Sequence, residues 1–233
     1  MAKAKKTTTA RRSGRAATST TIAAPIPPRP PFIVNYLDVA ETEFCYPDSK
    51  ELLSAGRAIG KAAGLLRIGL HLKRVAPGRR TSWPHAESNE EEFAYVIAGE
   101  LDCWIDGNLH PVRAGDLVAF PAGTGITHCL LNNGTNDAIL LVGGEANKSD
   151  NKITYPLHPE RATHLRWSEW WHEAPLRLRG DHNGLPDALR TSAGAARGAG
   201  RKKQPRRPTK PRPQITVLVK AKRKASGTRK VKS

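Results

Sequence analysis

An all-β, antiparallel barrel or sandwich is the fold that this 233-residue sequence predicts. Three observations carry that expectation. Apolar and polar residues alternate with a period of two through several stretches between residues 66 and 112, the pattern of half-buried strands. Turn-forming residues punctuate those stretches at short intervals. No long helical pattern separates them.

The elements follow in chain order. Residues 1 to 31 are basic and end in the proline cluster IPPRPP, a linker with no means of burying itself. In residues 32 to 63 the apolar side chains Phe32, Ile33, Val34, Tyr36, Leu37 and Val39 lack clean periodicity, so this arm is expected to lie along the barrel, with a short helical turn over 49 to 53. The barrel itself is expected over 64 to 156. There Leu66, Ile68, Leu70 and Leu72 alternate with Arg67, Gly69, His71 and Lys73, which predicts a half-buried strand with His71 on its polar face.

His85 and Glu87 stand two apart and share a face if the segment is extended. Residues 88 to 91 suit a tight turn. Glu92 then opens a strand with Glu92, Ala94, Val96 and Ala98 on one face and Phe93, Tyr95 and Ile97 on the other. Leu101, Cys103 and Ile105 alternate with Asp102, Trp104 and Asp106, and Asp106-Gly107 makes a two-residue hairpin turn before residues 108 to 112. Residues 117 to 120 form a short strand that Pro121 stops, 126 to 131 carry His128, and 136 to 144 close the series with AILLV. In the extension 157 to 190, Trp167, Trp170 and Trp171 fall at i, i+3 and i+4, which predicts a helix over 160 to 172 packed on the barrel. Trp83 is placed at the edge of the cavity mouth.

Charge divides the chain more sharply than hydropathy does. Residues 1 to 35 hold seven Lys and Arg and residues 191 to 233 hold fifteen, with no Asp or Glu in either; the centre carries 16 basic residues against 21 acidic ones. The net charge of +17 therefore belongs to the ends, and the central domain is mildly acidic. Cys45, Cys103 and Cys129 lack any paired spacing, which argues against a disulfide framework or a thiolate zinc site. No apolar run reaches the ~18 residues of a membrane helix, and the start shows no apolar core of the kind a secretory signal needs, so none is expected. A cytoplasmic protein is the expectation, with an organelle transit segment in the Arg-, Ser- and Thr-rich start as the alternative.

A carboxylate facing a barrel interior needs a cation or hydrogen-bond donors to compensate it, so Glu92 calls for partners. His85, Glu87 and His128 are the candidates. Two imidazole nitrogens and two carboxylates suit a divalent metal, namely manganese, ferrous iron, zinc or nickel.

The spacing of these residues resembles the two motifs of the cupin superfamily. Gly78, His85, Glu87, Glu92 and Gly99 follow the first motif, with one extra residue before His85 and with Glu87 where a second histidine is usual. Gly115, Pro121, Gly123, His128 and Asn132 follow the second, with four residues between Gly123 and His128 where two are usual. The resemblance implies a jelly-roll barrel, a double-stranded β-helix, like that of the small bacterial cupins of uncharacterised function. It also implies a metal held by His85, Glu87, Glu92 and His128, a small polar ligand inside the barrel, and a homodimer formed through the outer face of a sheet. A glutamate in place of the histidine adds a negative charge and favours harder cations.

Three functions stay open on these residues: a metal- and ligand-binding barrel, a metal-dependent enzyme of the dioxygenase or isomerase kind, and a ligand-sensing regulator whose tails hold nucleic acid. In the basic tail Arg201, Lys202, Lys203, Arg206, Arg207, Lys222, Arg223 and Lys224 offer phosphate contacts without base-reading geometry. Binding through them is expected to be non-specific and steeply salt-dependent.

Overall fold

The computed structural model describes residues 28–146 and 148–194. The basic clusters between 201 and 224 and the transit-like start lie outside the described residues, and so do the roles expected of them. Among the described residues there are ten strands: β1 (Ala55–Arg57), β2 (Ile68–Val75), β3 (Ala86–Glu87), β4 (Glu92–Ala98), β5 (Glu100–Ile105), β6 (Asn108–Arg113), β7 (Leu117–Phe120), β8 (His128–Leu131), β9 (Ala138–Glu145) and β10 (Ile153–Thr154). Two short helices, α1 (Ile59–Ala62) and α2 (Asp187–Gly194), complete the regular structure with three 3₁₀ turns.

All strand pairs are antiparallel and fall into three sheets, ordered β1-β2-β9-β4-β7, β6-β5-β8 and β10-β3. Bridges Arg80↔Leu131 and His85↔His128 add the 80–85 segment to the edge of the three-stranded sheet. The two larger sheets share a core of Val75, Ala94, Val96, Leu101, Cys103, Phe120, Leu130, Ala138 and Leu140. Burying a side chain such as Val96 or Leu140, neither of which is exposed at all, stabilises the fold by about 1.5–3 kcal/mol. The architecture is an all-β jelly roll.

Strand β2 inverts the face that its alternation suggests. Its register with β9 pairs His71 with Val142, Lys73 with Leu140 and Val75 with Ala138, and cross-strand partners point to the same face. Because Val75, Ala138 and Leu140 belong to the core, His71 and Lys73 face inward, and Ile68, Leu70 and Leu72 face outward. Helix α1 covers part of this outer row. Gly60 lies so close to Leu70 that a β-carbon there would come within 2.9 Å of the leucine Cβ. Leu66 precedes the strand and is exposed.

Two further expectations fail for local reasons. Residues 49 to 53 contain no helix, since the Leu53 amide donates to the Phe44 carbonyl at 2.9 Å in an extended pairing. The tryptophan segment is not one helix but two 3₁₀ turns, Pro159–His164 and Trp167–Glu169, separated by the extended backbone of Leu165 and Arg166. Trp170 packs with Tyr155 and Ile153, whereas Trp167 is exposed and stacks on His172 with ring centroids 3.7 Å apart.

The chain beyond residue 174 straps the outer face of β5. Gly180 N–H donates to Asp106 O at 2.8 Å, and the Trp104 indole donates to His182 O at 2.8 Å. This cover leaves Trp104 and Cys129 buried on the side of the sheet that would otherwise meet water. Arg80, wholly buried, ties three segments together. Its guanidinium donates twice to Glu51 at 2.7 Å, once to Gly184 O at 2.8 Å, and lies 3.4 Å from His158 Nε2. Among the described residues no helix is long and apolar enough to cross a membrane.

Candidate metal centre

The strands place three of the four anticipated ligands around one point. Glu92 opens β4 on the face shared with Ala94 and Val96; His128 opens β8; and the His85↔His128 bridge sets the second imidazole beside the first. His85 Nε2 lies 3.3 Å and His128 Nε2 3.2 Å from Glu92 Oε2. One ligand atom from each of the three residues falls within 4.8 Å of the others.

The other nitrogens are spoken for. His85 Nδ1 donates to Trp83 O at 2.8 Å and His128 Nδ1 to Ile126 O at 3.0 Å. A ring whose Nδ1–H is held this way presents a bare Nε2 lone pair when neutral, the orientation a metal ligand needs. Burial favours the neutral form of both rings. For His85 the Glu92 carboxylate outweighs burial and raises the pKa; for His128 burial prevails and lowers it. A neutral His128 has one proton for two acceptors, Ile126 O and Glu92. A cation between Nε2 and the carboxylate resolves that conflict, so the donor set fits a metal ion. Burial opposes the charge on Glu92 too, but the hydrogen bonds to His128 and His85 hold its carboxyl well below the usual range.

Glu87 stands outside this three-residue cluster. Its carboxylate accepts from the Asn151 side chain while lining the same cavity, and burial pushes it up to about 7. The cavity has a volume of about 220 Å³, and its walls include His85, Glu87, Glu92, His128, Lys73, Tyr46 and Tyr155.

A family model described as a cupin domain matches residues 71–143. The chain carries a cupin domain. Both motif halves fall inside that match. A solved structure from Acidithiobacillus ferrooxidans ATCC 23270, named as a candidate sugar phosphate isomerase, shares the cupin fold at 22% identity, covering 65% of this chain and 98% of its own, with a TM-score of 0.51. A cupin-superfamily sugar phosphate isomerase from Silicibacter pomeroyi DSS-3 is 27% identical over 53% of this chain and 80% of its own, with a TM-score of 0.48. No curated protein sequence matches.

Several cavity residues carried no sequence signal. Lys73 enters the cupin barrel only because β2 is turned over; Tyr46 comes from the arm and Tyr155 follows the two-residue strand β10. Counting back by twos from Val75 was the one cue for Lys73. Trp83 is buried and is not among the cavity walls: it stacks between Tyr46 and His158, with centroids 4.2 Å and 4.1 Å away. Asn132 is a turn former, donating to Val75 O and Asn136 O and accepting from Gly134 N–H.

Proposed function

We propose that this cupin domain binds a divalent metal ion, of the manganese, iron, zinc or nickel kind, through His85, Glu92 and His128, with Glu87 completing the set, and holds a small polar ligand in the cavity beside it. The observation that carries this reading is the pair of backbone-held imidazoles whose Nε2 atoms converge on one carboxylate oxygen. A bound ion would supply Lewis acidity and a point of attachment for the ligand. The protein's own groups do the rest. Trp83 O and Ile126 O fix the rings, Glu92 supplies charge, Asn151 positions Glu87, and Tyr46 and Tyr155 wall the cavity.

Elemental analysis of purified, untagged protein tests this. Wild type is expected to hold a single metal in equimolar amount and His128→Ala to lose it while remaining folded by circular dichroism. Wild-type protein that stays metal-free after incubation with each of the four ions, and melts at the same temperature with and without them, would overturn it.

A metal-dependent reaction is the second reading. What favours it is an amine, that of Lys73, which faces the cavity beside the cluster without belonging to it. Turnover of trial substrates that is abolished by Lys73→Met with metal content unchanged would select it.

A homodimer is part of the proposal. Leu72, Leu141, Tyr95 and Leu117 stand in register across β2, β9, β4 and β7. This apolar row lies on the outer face of the sheet, with Tyr95 and Leu117 exposed, a surface that favours burial against a second copy. We place the protein in the cytoplasm, supported by three free cysteines, one of them exposed.

A further inference from the structure

We propose that the ligand of this cavity is a small carboxylic acid anion, which meets the metal cluster at one end and the Lys73 ammonium at the other. The inference rests on the metal reading for its charge balance and on Lys73 for its direction.

Lys73 reaches the cavity from the middle of β2, between the inward residues His71 and Val75. Its cross-strand neighbours are Leu140 and Gly56, and the cavity walls include the apolar Ala94, Leu130 and Val142. Among the described residues no hydrogen bond or ion pair engages the ammonium, and the carboxylate that acts on it is Glu92. That carboxylate is already taken by the two imidazoles. An ammonium in apolar surroundings without a dedicated partner is costly, and a ligand anion would compensate it.

The charge count agrees. With a divalent ion, ionised Glu87 and Glu92, neutral imidazoles and Lys73, the cavity carries one net positive charge. An anion between the ion and Lys73 also offsets their mutual repulsion. The walls favour a carbon acid over a phosphate. Phe44, Tyr46, Phe120 and Tyr155 offer ring surface to a carbon skeleton, and Lys73 is the one Lys or Arg among the described residues of the cavity walls, beside the hydroxyls of Thr81 and Ser82, where phosphate usually receives several cationic donors. A volume of about 220 Å³ corresponds to roughly seven waters at ~30 Å³ each, room for an acid of malonate size.

Malonate is therefore the probe. Calorimetric titrations of malonate, of its neutral isostere malonamide and of inorganic phosphate into metal-treated wild type, Lys73→Gln, Lys73→Met and Lys73→Arg are compared, with metal content and melting temperature measured on the same samples. Wild type is expected to bind malonate in preference to malonamide and to phosphate. Lys73→Gln and Lys73→Met are expected to weaken malonate roughly 10- to 100-fold, the loss of a charge-assisted contact, with metal content unchanged, and Lys73→Arg to retain most of the affinity. Equal malonate binding by wild type and by whichever neutral variant folds overturns the proposal. So does tighter binding of malonamide or phosphate, or metal-loaded wild type that does not bind malonate. Wild type that takes up no metal defeats the metal reading, on which this proposal rests; metal-loaded wild type whose malonate affinity ignores Lys73 defeats this proposal alone.

Discussion

At the scale of single residues, the candidate site turns on how Glu92 Oε2 is shared. Two imidazoles approach the same oxygen at 3.2 Å and 3.3 Å, and each ring's remaining nitrogen is fixed by a backbone carbonyl. Glu87, a short distance along the chain, differs in having its carboxyl raised from 4.5 to about 7 by burial. The sign of its effect on stability follows. The folded state holds this proton more tightly than the unfolded chain, so Glu87 favours the fold below pH 4.5, and that contribution is lost as the pH rises through about 7. In chelator-treated protein the melting temperature of wild type is expected to fall relative to that of Glu87→Gln across this window. A difference that stays flat with pH would tell against a buried, proton-holding Glu87.

The residues legible in the sequence were those whose position depends on their own strand. The parity of β4 placed Glu92 with Ala94 and Val96 and turned Tyr95 outward, as the burial of these residues bears out. Lys73 was not legible, because its direction is fixed by the pairing of β2 with β9, about 70 residues further on. Leu70, on the outward face of β2, is covered by α1, so the same alternation is compatible with the opposite facing and periodicity alone does not fix it.

Among the elements, β9 carries a device as consequential as the ligands. Gly143 and Gly144 pair with Phe93 and Glu92 of β4. A β-carbon on Gly144 would meet Glu91 O at 2.5 Å and the Glu92 Cα and Cγ at 3.2 Å; one on Gly143 would strike the Phe93 ring at 2.6 Å. The Glu92 stem therefore occupies the space of an absent side chain. Gly144→Ala is expected to displace Glu92, lowering stability by roughly 1–3 kcal/mol and reducing metal content at the same time. Chemical denaturation and elemental analysis check the two halves. Unchanged metal content in a destabilised variant would separate packing from the site.

The strands were readable as elements because turn chemistry marks their ends. Asp106 and Gly107 take positive φ values of 45° and 84° in the hairpin turn, as the Asp-Gly pair requires. The tryptophan segment departs from the predicted helix because i, i+3 and i+4 spacing also fits two short 3₁₀ turns joined by extended backbone. There the contacts of Trp170 with Tyr155 and Ile153 decide the path.

On the scale of the whole molecule, the apolar row Leu72, Leu141, Tyr95 and Leu117 is the surface proposed to meet a second copy. Leu117→Asp and Tyr95→Lys together are expected to convert a dimer to a monomer in analytical ultracentrifugation with little change in melting temperature. A wild type that sediments as a monomer at high concentration would remove the dimer from the proposal.

Arg80 has a different reach. It is fully buried, and its partners lie at Glu51, in the arm, and at Gly184, in the extension. A chimera that takes its arm from one relative and its barrel from another inherits an interior cation without its matching anion, or the reverse, and a lone charge of that kind is far worse than none. The arm and the barrel are thus heritable as a set: recombination that separates residue 51 from residue 80 breaks a lock whose two halves were never adjacent in the gene.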